Sequence, residues 1–600
     1  MIRFNGECSA AAAALVLCSC LAALGCGGSS SPPVYTPGGP LTLEVGGTFP
    51  AGTVVRDQYS GASATVDATG SVTVTPGPAG VVLLEKDGAA ATPFTWADAT
   101  VYFVLTDRFN NGDTSNDNSY GRAKDGKGEI GTWHGGDLKG LTAKLDYIAS
   151  LGATAIWISP PVEQVHGWVS GNGGEYPSYA YHGYWALDFT RLDKNFGTED
   201  EMKAFVDGAH QRGIRVLFDV VLNHPGYATG ADLLSYLPEV FKDGTGDAFK
   251  AFTPPSGRGY DAFNDLVDYS STKWVNWWSP TWIRAGFPGF DPGGNTDLTS
   301  QLSFLPDFKT ETSGAAGIPT LLKRKTDTAA VEVAGAGVRQ YLIKWQTDWV
   351  RKFGVDGFRC DTAKNVELDS WAALKTAAGA QLAAWKADPA NAARKLPDDS
   401  GNAPFWMTGE VYGHGVTKDD YYLSGKFDSL INFNFQTQLI AAVKTQSLVG
   451  AQAALDGMYA TIAGLVATDP SFDVLSYISS HDTDLFFGYL SQDAAKMRQA
   501  GTALLLTPGG AQVFYGDESG RKPGTSDDRG QNTRSDMNFD GAADQTILAH
   551  WQKLGQFRKK HAAVGAGVHT KLASPAGTYA FSRKLSAGGI ADAVVVAITN

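Results

Sequence analysis

The chain has 600 residues, of which 43% are hydrophobic and 18% charged, with 71 Gly and 27 Pro. This is a globular composition with room for about three to four domains, and it excludes a disordered or collagen-like chain. The formal net charge of −13 comes without a long basic run, which argues against nucleic acid as a partner. Of five cysteines (Cys8, Cys18, Cys20, Cys26 and Cys360), four fall in the first 26 residues, so a disulfide scaffold is excluded.

In chain order, Arg3 is followed by an apolar run over residues 10–24. The run is too short for a transmembrane helix, and the layout predicts a signal peptide over 1–25. The small and apolar residues before Cys26 resemble the lipid-attachment box of bacterial lipoproteins, with Cys20 as a competing site. Residues 26–40 then read as a flexible Gly- and Ser-containing tether. The expectation is an exported chain, lipid-anchored at Cys26 to the bacterial cell envelope at the outer membrane or periplasm. The alternative is a soluble secreted or periplasmic one.

Residues 41–92 alternate apolar and polar positions with Gly and Pro punctuation, which predicts a small N-terminal β domain. From residue 93 short apolar runs at 101–105, 155–158, 216–221, 357–361, 405–410, 430–433, 474–479 and 512–515 alternate with helical stretches. The helices are read at 138–151, 199–212, 338–352, 494–506 and 545–561. Eight such strands predict an α/β fold, a (β/α)8 barrel running over 93–224 and 336–564. Residues 225–335 are too long for a plain loop and predict an inserted domain after the third strand. Residues 565–600 read as the start of a C-terminal β domain, apparently truncated, because the apolar run 594–598 is left without an evident partner. The tryptophans at 274, 277, 278 and 282 read as core. The Asn- and Asp-containing loop 110–118 reads as a polar loop, with a second calcium site as the alternative.

In such a barrel the polar residues at the C-terminal ends of the strands line the active site. Three carboxylates converge there from separate strands: Asp361, Glu410 and Asp482. Arg359 alternates onto the same side as Asp361 and is expected to keep it ionised, while like charges are expected to raise the pKa of Glu410. An ionised and a protonated carboxyl facing each other are what the hydrolysis of a glycosidic bond requires. Asp219 is expected to brace Arg359, and Cys360 to be an inert thiol facing the helices.

The motifs DVVLNH (219–224), GFRCDTAKN (357–365), GE (409–410), SSHD (479–482) and LPDF (305–308) together resemble the α-amylase family of glycoside hydrolases, family 13, from about residue 99 onward. The resemblance implies retaining endo-hydrolysis of α-1,4-glucosidic bonds in starch, glycogen and maltodextrins. It makes Asp361 the nucleophile, Glu410 the acid/base and Asp482 the transition-state stabiliser. Arg359, His224, His481, Tyr184 and His182 become contacts of the cleaved sugar, and Lys364 lies on the leaving-group side. A 4-α-glucanotransferase or cyclodextrin-forming transglycosylase on the same scaffold is the alternative. The family's calcium would be held by Asn223, Asp307 and the backbone carbonyl of Asn365, with Asp297 a weaker ligand. Asn365 stands where the family usually has His, which changes a contact to the leaving-group sugar and spares the carbonyl. The partner is then a neutral α-glucan, with a monomeric enzyme touching membrane only through its lipid.

Overall fold

The computed structural model describes residues 36–122, 131–171, 174–250, 252–397, 403–525 and 532–600. The expected signal peptide, both candidate lipidation cysteines and most of the tether lie outside the described residues. Among those described, no helix is long and apolar enough to cross a membrane.

Eight strands, Thr100–Val104, Ala155–Ile158, Arg215–Val220, Gly357–Cys360, Trp406–Gly409, Ser429–Asn432, Asp473–Tyr477 and Gly510–Phe514, follow one another around a closed parallel barrel. The eighth pairs with the first, Phe514 opposite Phe103. All eight are buried along their whole length, which is why they read as apolar runs rather than alternating ones. The parallel register sets Asp219 beside Arg359 and Arg359 beside Thr408. Neighbours in register point to the same side of the sheet, so the third and fourth strands present Asp219 and Arg359 to the barrel interior together.

The surrounding helices start and stop where local chemistry dictates. Thr198 and Glu201 form a reciprocal capping box at the start of helix Glu199–Gln211. Helix Val338–Phe353 ends at Gly354, whose φ of 82° is left-handed. A Cβ there would lie 2.4 Å from the Trp385 ring, so the position admits only glycine. The single helix expected over 138–151 is instead two, Leu138–Ala143 and Leu145–Ser150, because Lys144 leaves the helical region with φ −106° and ψ 6°.

Between the third barrel strand and helix Val338–Phe353 the described residues of the inserted segment form short helical turns, an isolated bridge between Phe241 and Val267, and the two-stranded pair Ile283–Arg284 with Asp307–Phe308. Its tryptophans are packing residues: Trp274, Trp277, Trp278 and Trp282 are all buried. Trp282 stacks on Trp345 at 5.4 Å, so this segment and the barrel share one hydrophobic core.

The two ends of the described chain meet in one sheet. Its six strands run in the order Val568–Lys571, Thr578–Ala587, Ile590–Thr599, Val81–Lys86, Val54–Asp57, Ser63–Thr65. The apolar run 594–598, expected to lack a partner, is paired on both edges. Val595 lies opposite Ser582 on one side and Leu84 on the other. The missing partner was five hundred residues away in sequence, which is why periodicity alone could not supply it. Tyr59 and His550, 2.7 Å apart, are one contact between this sheet and the last barrel helix, Gln545–Lys560.

Candidate active site

The barrel ladder continues past the strand ends and fixes the carboxylates. The Asp361 N–H donates to the Val220 carbonyl at 2.9 Å, and the Glu410 N–H to the Cys360 carbonyl at 3.0 Å. Thr362 then adopts a left-handed φ of 45° and aims its N–H at Glu410 Oε2, 3.2 Å away. A non-glycine residue held in this conformation is costly and typical of active sites.

At the centre lies Arg359, with 1% of its side chain exposed. Its Nη1 donates to both oxygens of Asp219 at 3.0 Å and to Asp361 Oδ1 at 2.8 Å, and its Nη2 to Glu410 Oε2 at 2.6 Å. Asp219 also accepts from the Tyr184 hydroxyl at 2.7 Å and from Trp157 Nε1 at 3.1 Å. It is therefore fully engaged, the brace expected of it. Cys360 is completely buried, and burial pushes its thiol pKa well up, which leaves it inert.

Burial is the largest influence on the two carboxyls facing Arg359. It raises Asp361, with the Asp482 charge adding to it, and outweighs the pull of the guanidinium. Arg359 does pull Asp361 towards the ionised form, as expected of it, but desolvation is the larger influence. Glu410 is pushed up to about 7 by burial first and by Asp361 and Asp482 second, against Arg359. Like charges, expected to dominate there, come second to desolvation.

Asp482 behaves oppositely. Desolvation acts to raise it, but His481 Nε2 at 2.9 Å and Arg534 Nη2 at 3.0 Å hold it well below the usual carboxylate range. Environments that separate the pKa values of neighbouring carboxyls assign acid and base roles.

The remaining predicted residues fall into two groups. Tyr184 lies parallel to His481, ring centroids 5.2 Å apart, and His182 lies 5.7 Å from Tyr184. His224 sits beside Asn223, Nδ1 to Nδ2 3.1 Å. Burial lowers His182 well below its usual value and His224 to about 4, so both are neutral at pH 7 and able to donate and accept. Lys364 and Asn365 are not brought to the carboxylates. They reach outward to Asp297, Lys364 Nζ to its carboxylate at 3.1 Å and Asn365 Nδ2 to its carbonyl at 2.7 Å.

The Phe308 N–H donates to the Asn223 carbonyl at 2.8 Å, which ties the LPDF segment to the end of the third barrel strand. Asn223 Oδ1 is buried without a hydrogen-bond partner. Asp307 pairs with Arg284 at 2.7 Å, and burial lifts its carboxyl to about 7. Among the described residues no three His, Cys, Asp or Glu side chains are grouped to hold a metal ion.

Sequence reasoning missed Arg534. Its Nε donates to the His481 carbonyl at 3.2 Å while its Nη2 holds Asp482. It lies in a polar stretch beyond the eighth strand, and no spacing links it to the SSHD motif. Trp157, which donates to Asp219, was hidden inside an apolar strand run for the same reason.

The chain is similar to known proteins over most of its length. The family model described as alpha amylase, catalytic domain, matches residues 103–234 and 325–539, and the interval between them falls in the inserted segment. The chain is 48% identical over 560 residues to a periplasmic alpha-amylase of Escherichia coli strain K12, covering 91% of this chain and 79% of that one. It is 30% identical over 503 residues to an alpha-amylase of Streptomyces lividans, covering 76% of this chain and 50% of that one. Among solved structures, an Anoxybacillus alpha-amylase superposes with a TM-score of 0.54 at 23% identity, over 82% of this chain and 86% of that one.

Replacing Arg359 by Met leaves buried carboxylates without their shared cation. The expected result is a loss of about 3–5 kcal/mol of unfolding free energy at pH 8. The loss shrinks towards pH 5, because the orphaned carboxyls have raised pKa values and regain stability by taking up protons as pH falls. Denaturant unfolding at the two pH values measures it.

Proposed function

The chain belongs to the α-amylase family of glycoside hydrolases, and from that premise we propose how its cleft residues divide the hydrolysis of α-glucans. Asp361 attacks the anomeric carbon, Glu410 protonates the departing glycosidic oxygen and then deprotonates the incoming water, and Asp482 stabilises the oxocarbenium-like charge. The observation that carries this reading is the single guanidinium of Arg359, which bonds Asp361 through one nitrogen and Glu410 through the other. Two carboxyls sharing one fork stay close together, as a double displacement through a covalent intermediate needs. An inverting pair stands about 6.5–9.5 Å apart to admit a water.

The electrostatics support the same assignment. Glu410, pushed up to about 7, carries a proton at mildly acidic pH and can release it near neutrality. Asp482, held well below the usual range by His481 and Arg534 against desolvation, stays the charged carboxylate beside Glu410. Tyr184 supplies a ring face to the cleaved sugar, while His481 and the neutral His182 and His224 read its hydroxyls. Lys364 and Asn365 stand on the leaving-group side with Asp297.

Calcium would be held by Asn223, Asp307 and the carbonyl of Asn365. The buried, unpartnered oxygen of Asn223 is the donor that favours it, and hard oxygen ligands are what this ion takes. Asp297, its carboxylate exposed and engaged by Lys364, is the weakest of the candidate ligands. The ion would act as a pin between the inserted segment and the third barrel strand. A chelator is expected to lower the melting temperature by several degrees, reversed by added calcium. An unchanged melting curve would contradict the site.

The E. coli relative is a periplasmic enzyme, which supports export of this chain. We assign its anchorage to a lipid on Cys26, with about two acyl chains sufficing for stable attachment.

Asp361→Asn and Glu410→Gln are each expected to lower kcat on soluble starch by at least about 10³-fold while the variants fold normally. For the parent, kcat/KM falls as pH rises through about 7, where Glu410 loses the proton it must donate. It falls again on the acid side, as Asp361 takes up a proton. With maltohexaose, the hydrolytic reading requires products shorter than the substrate; accumulation of longer ones would favour a glucanotransferase.

A further inference from the structure

Phe304 is 89% exposed, the most of any large hydrophobic side chain among the described residues. It is also held there against its backbone preference. Ser303 (φ 48°, ψ 37°) and Phe304 (φ 66°) are consecutive non-glycine residues in the left-handed region, an arrangement that costs stability. A ring that gains no burial and strains its backbone does not serve the fold, and such outliers cluster at ligand sites.

Its place in the molecule is fixed from both sides. The Tyr227 hydroxyl donates to the Ser303 carbonyl at 2.7 Å. The Tyr227 ring meets Trp185 edge-on at 5.0 Å, and Trp185 meets His182 at 4.5 Å, next to Tyr184. A few residues earlier in the same loop, Asp297 is bound by Lys364 and Asn365, just beyond Asp361. Four residues later, the Phe308 N–H donates to the carbonyl of Asn223, just beyond the third barrel strand. The loop therefore forms a wall of the cleft between the row of aromatic rings leading out from Tyr184 and the residues following Asp361.

We propose that Phe304 is a stacking platform for a glucose unit of the α-glucan chain beyond the cleaved bond, on the side of Lys364 and Asn365, and so sets the preference for long over short substrates. The inference rests on the assignment of Lys364 and Asn365 to the leaving-group side. A glucose ring presents an apolar face of C–H groups, and a flat, exposed aromatic ring is its natural counterpart, with only two side-chain torsions to order on binding. The role is binding, not chemistry. Phe304 touches no reacting atom, and contacts remote from the bond being broken supply the energy that orients it.

Kinetics on soluble starch and on a chromogenic aryl maltotrioside, whose chain ends at the cleaved bond, separate the possibilities. Phe304→Ala and Phe304→Gly are expected to lower kcat/KM on starch by about five- to tenfold, mainly through KM, and to change the aryl maltotrioside by less than about twofold. Phe304→Tyr keeps the parent's preference. Phe304→Gly, which relieves the left-handed φ, melts at or above the parent temperature, whereas a residue kept for packing would melt lower. Equal losses on both substrates, an unchanged kcat/KM on starch, or failure of Tyr to retain the preference would each overturn the proposal. A parent that cleaved the aryl maltotrioside but not starch would instead contradict the polysaccharide reading, so the two failures are distinguishable.

Discussion

One buried cation holds the catalytic end of this barrel together. Arg359 bonds Asp219, Asp361 and Glu410 at once, and no charge on that scale is tolerated in a protein interior unless it is paired and hydrogen-bonded. The arrangement is not primarily a stabilising one, since desolvating so many charges roughly cancels their attraction. Its effect is positional: three carboxylates from three strands have their oxygens fixed by a single rigid fork.

The rest of the fold serves that geometry. Parallel register places Asp219 beside Arg359, the strand-end ladder aims Asp361 and Glu410, and the strained Thr362 turns the chain so that its N–H reaches Glu410. Against this rigid centre the electrostatics diverge. Glu410 is raised to about 7 by desolvation, and Asp482 is lowered by the His481 and Arg534 pair. The same barrel mouth therefore presents a carboxyl able to exchange a proton near neutrality beside one that stays charged. The inserted segment shares the barrel's core, which is how a stretch with few regular elements holds its shape.

Much of this was legible in the residues. Buried parallel strands are continuous apolar runs, so all eight could be read from composition, and the carboxylates stand at their ends because that is where the chain leaves the sheet. What escaped has physical causes. Arg534 acts across space from a loop with no periodicity, and Trp157 looks like any apolar strand residue until its indole N–H finds Asp219. The helix over 138–151 breaks at Lys144 through a backbone turn its sequence does not announce. The pairing of strand Ile590–Thr599 with Val81–Lys86 joins opposite ends of the chain, and no local pattern encodes it. The balance of forces on Asp361 also needed the structure, because burial, which decides its sign, has no signature in a motif.

In the proposed division of roles the Arg359 fork leaves Asp361 as the one carboxyl that bonds to sugar. A slow fluorinated α-glucosyl substrate, which forms a covalent glycosyl-enzyme and releases it sluggishly, tests this directly by peptide mass mapping. The expected result is one sugar per chain, on the peptide carrying Asp361. A label on Glu410 or Asp482 would contradict it, as would turnover of the reagent with no covalent species detected.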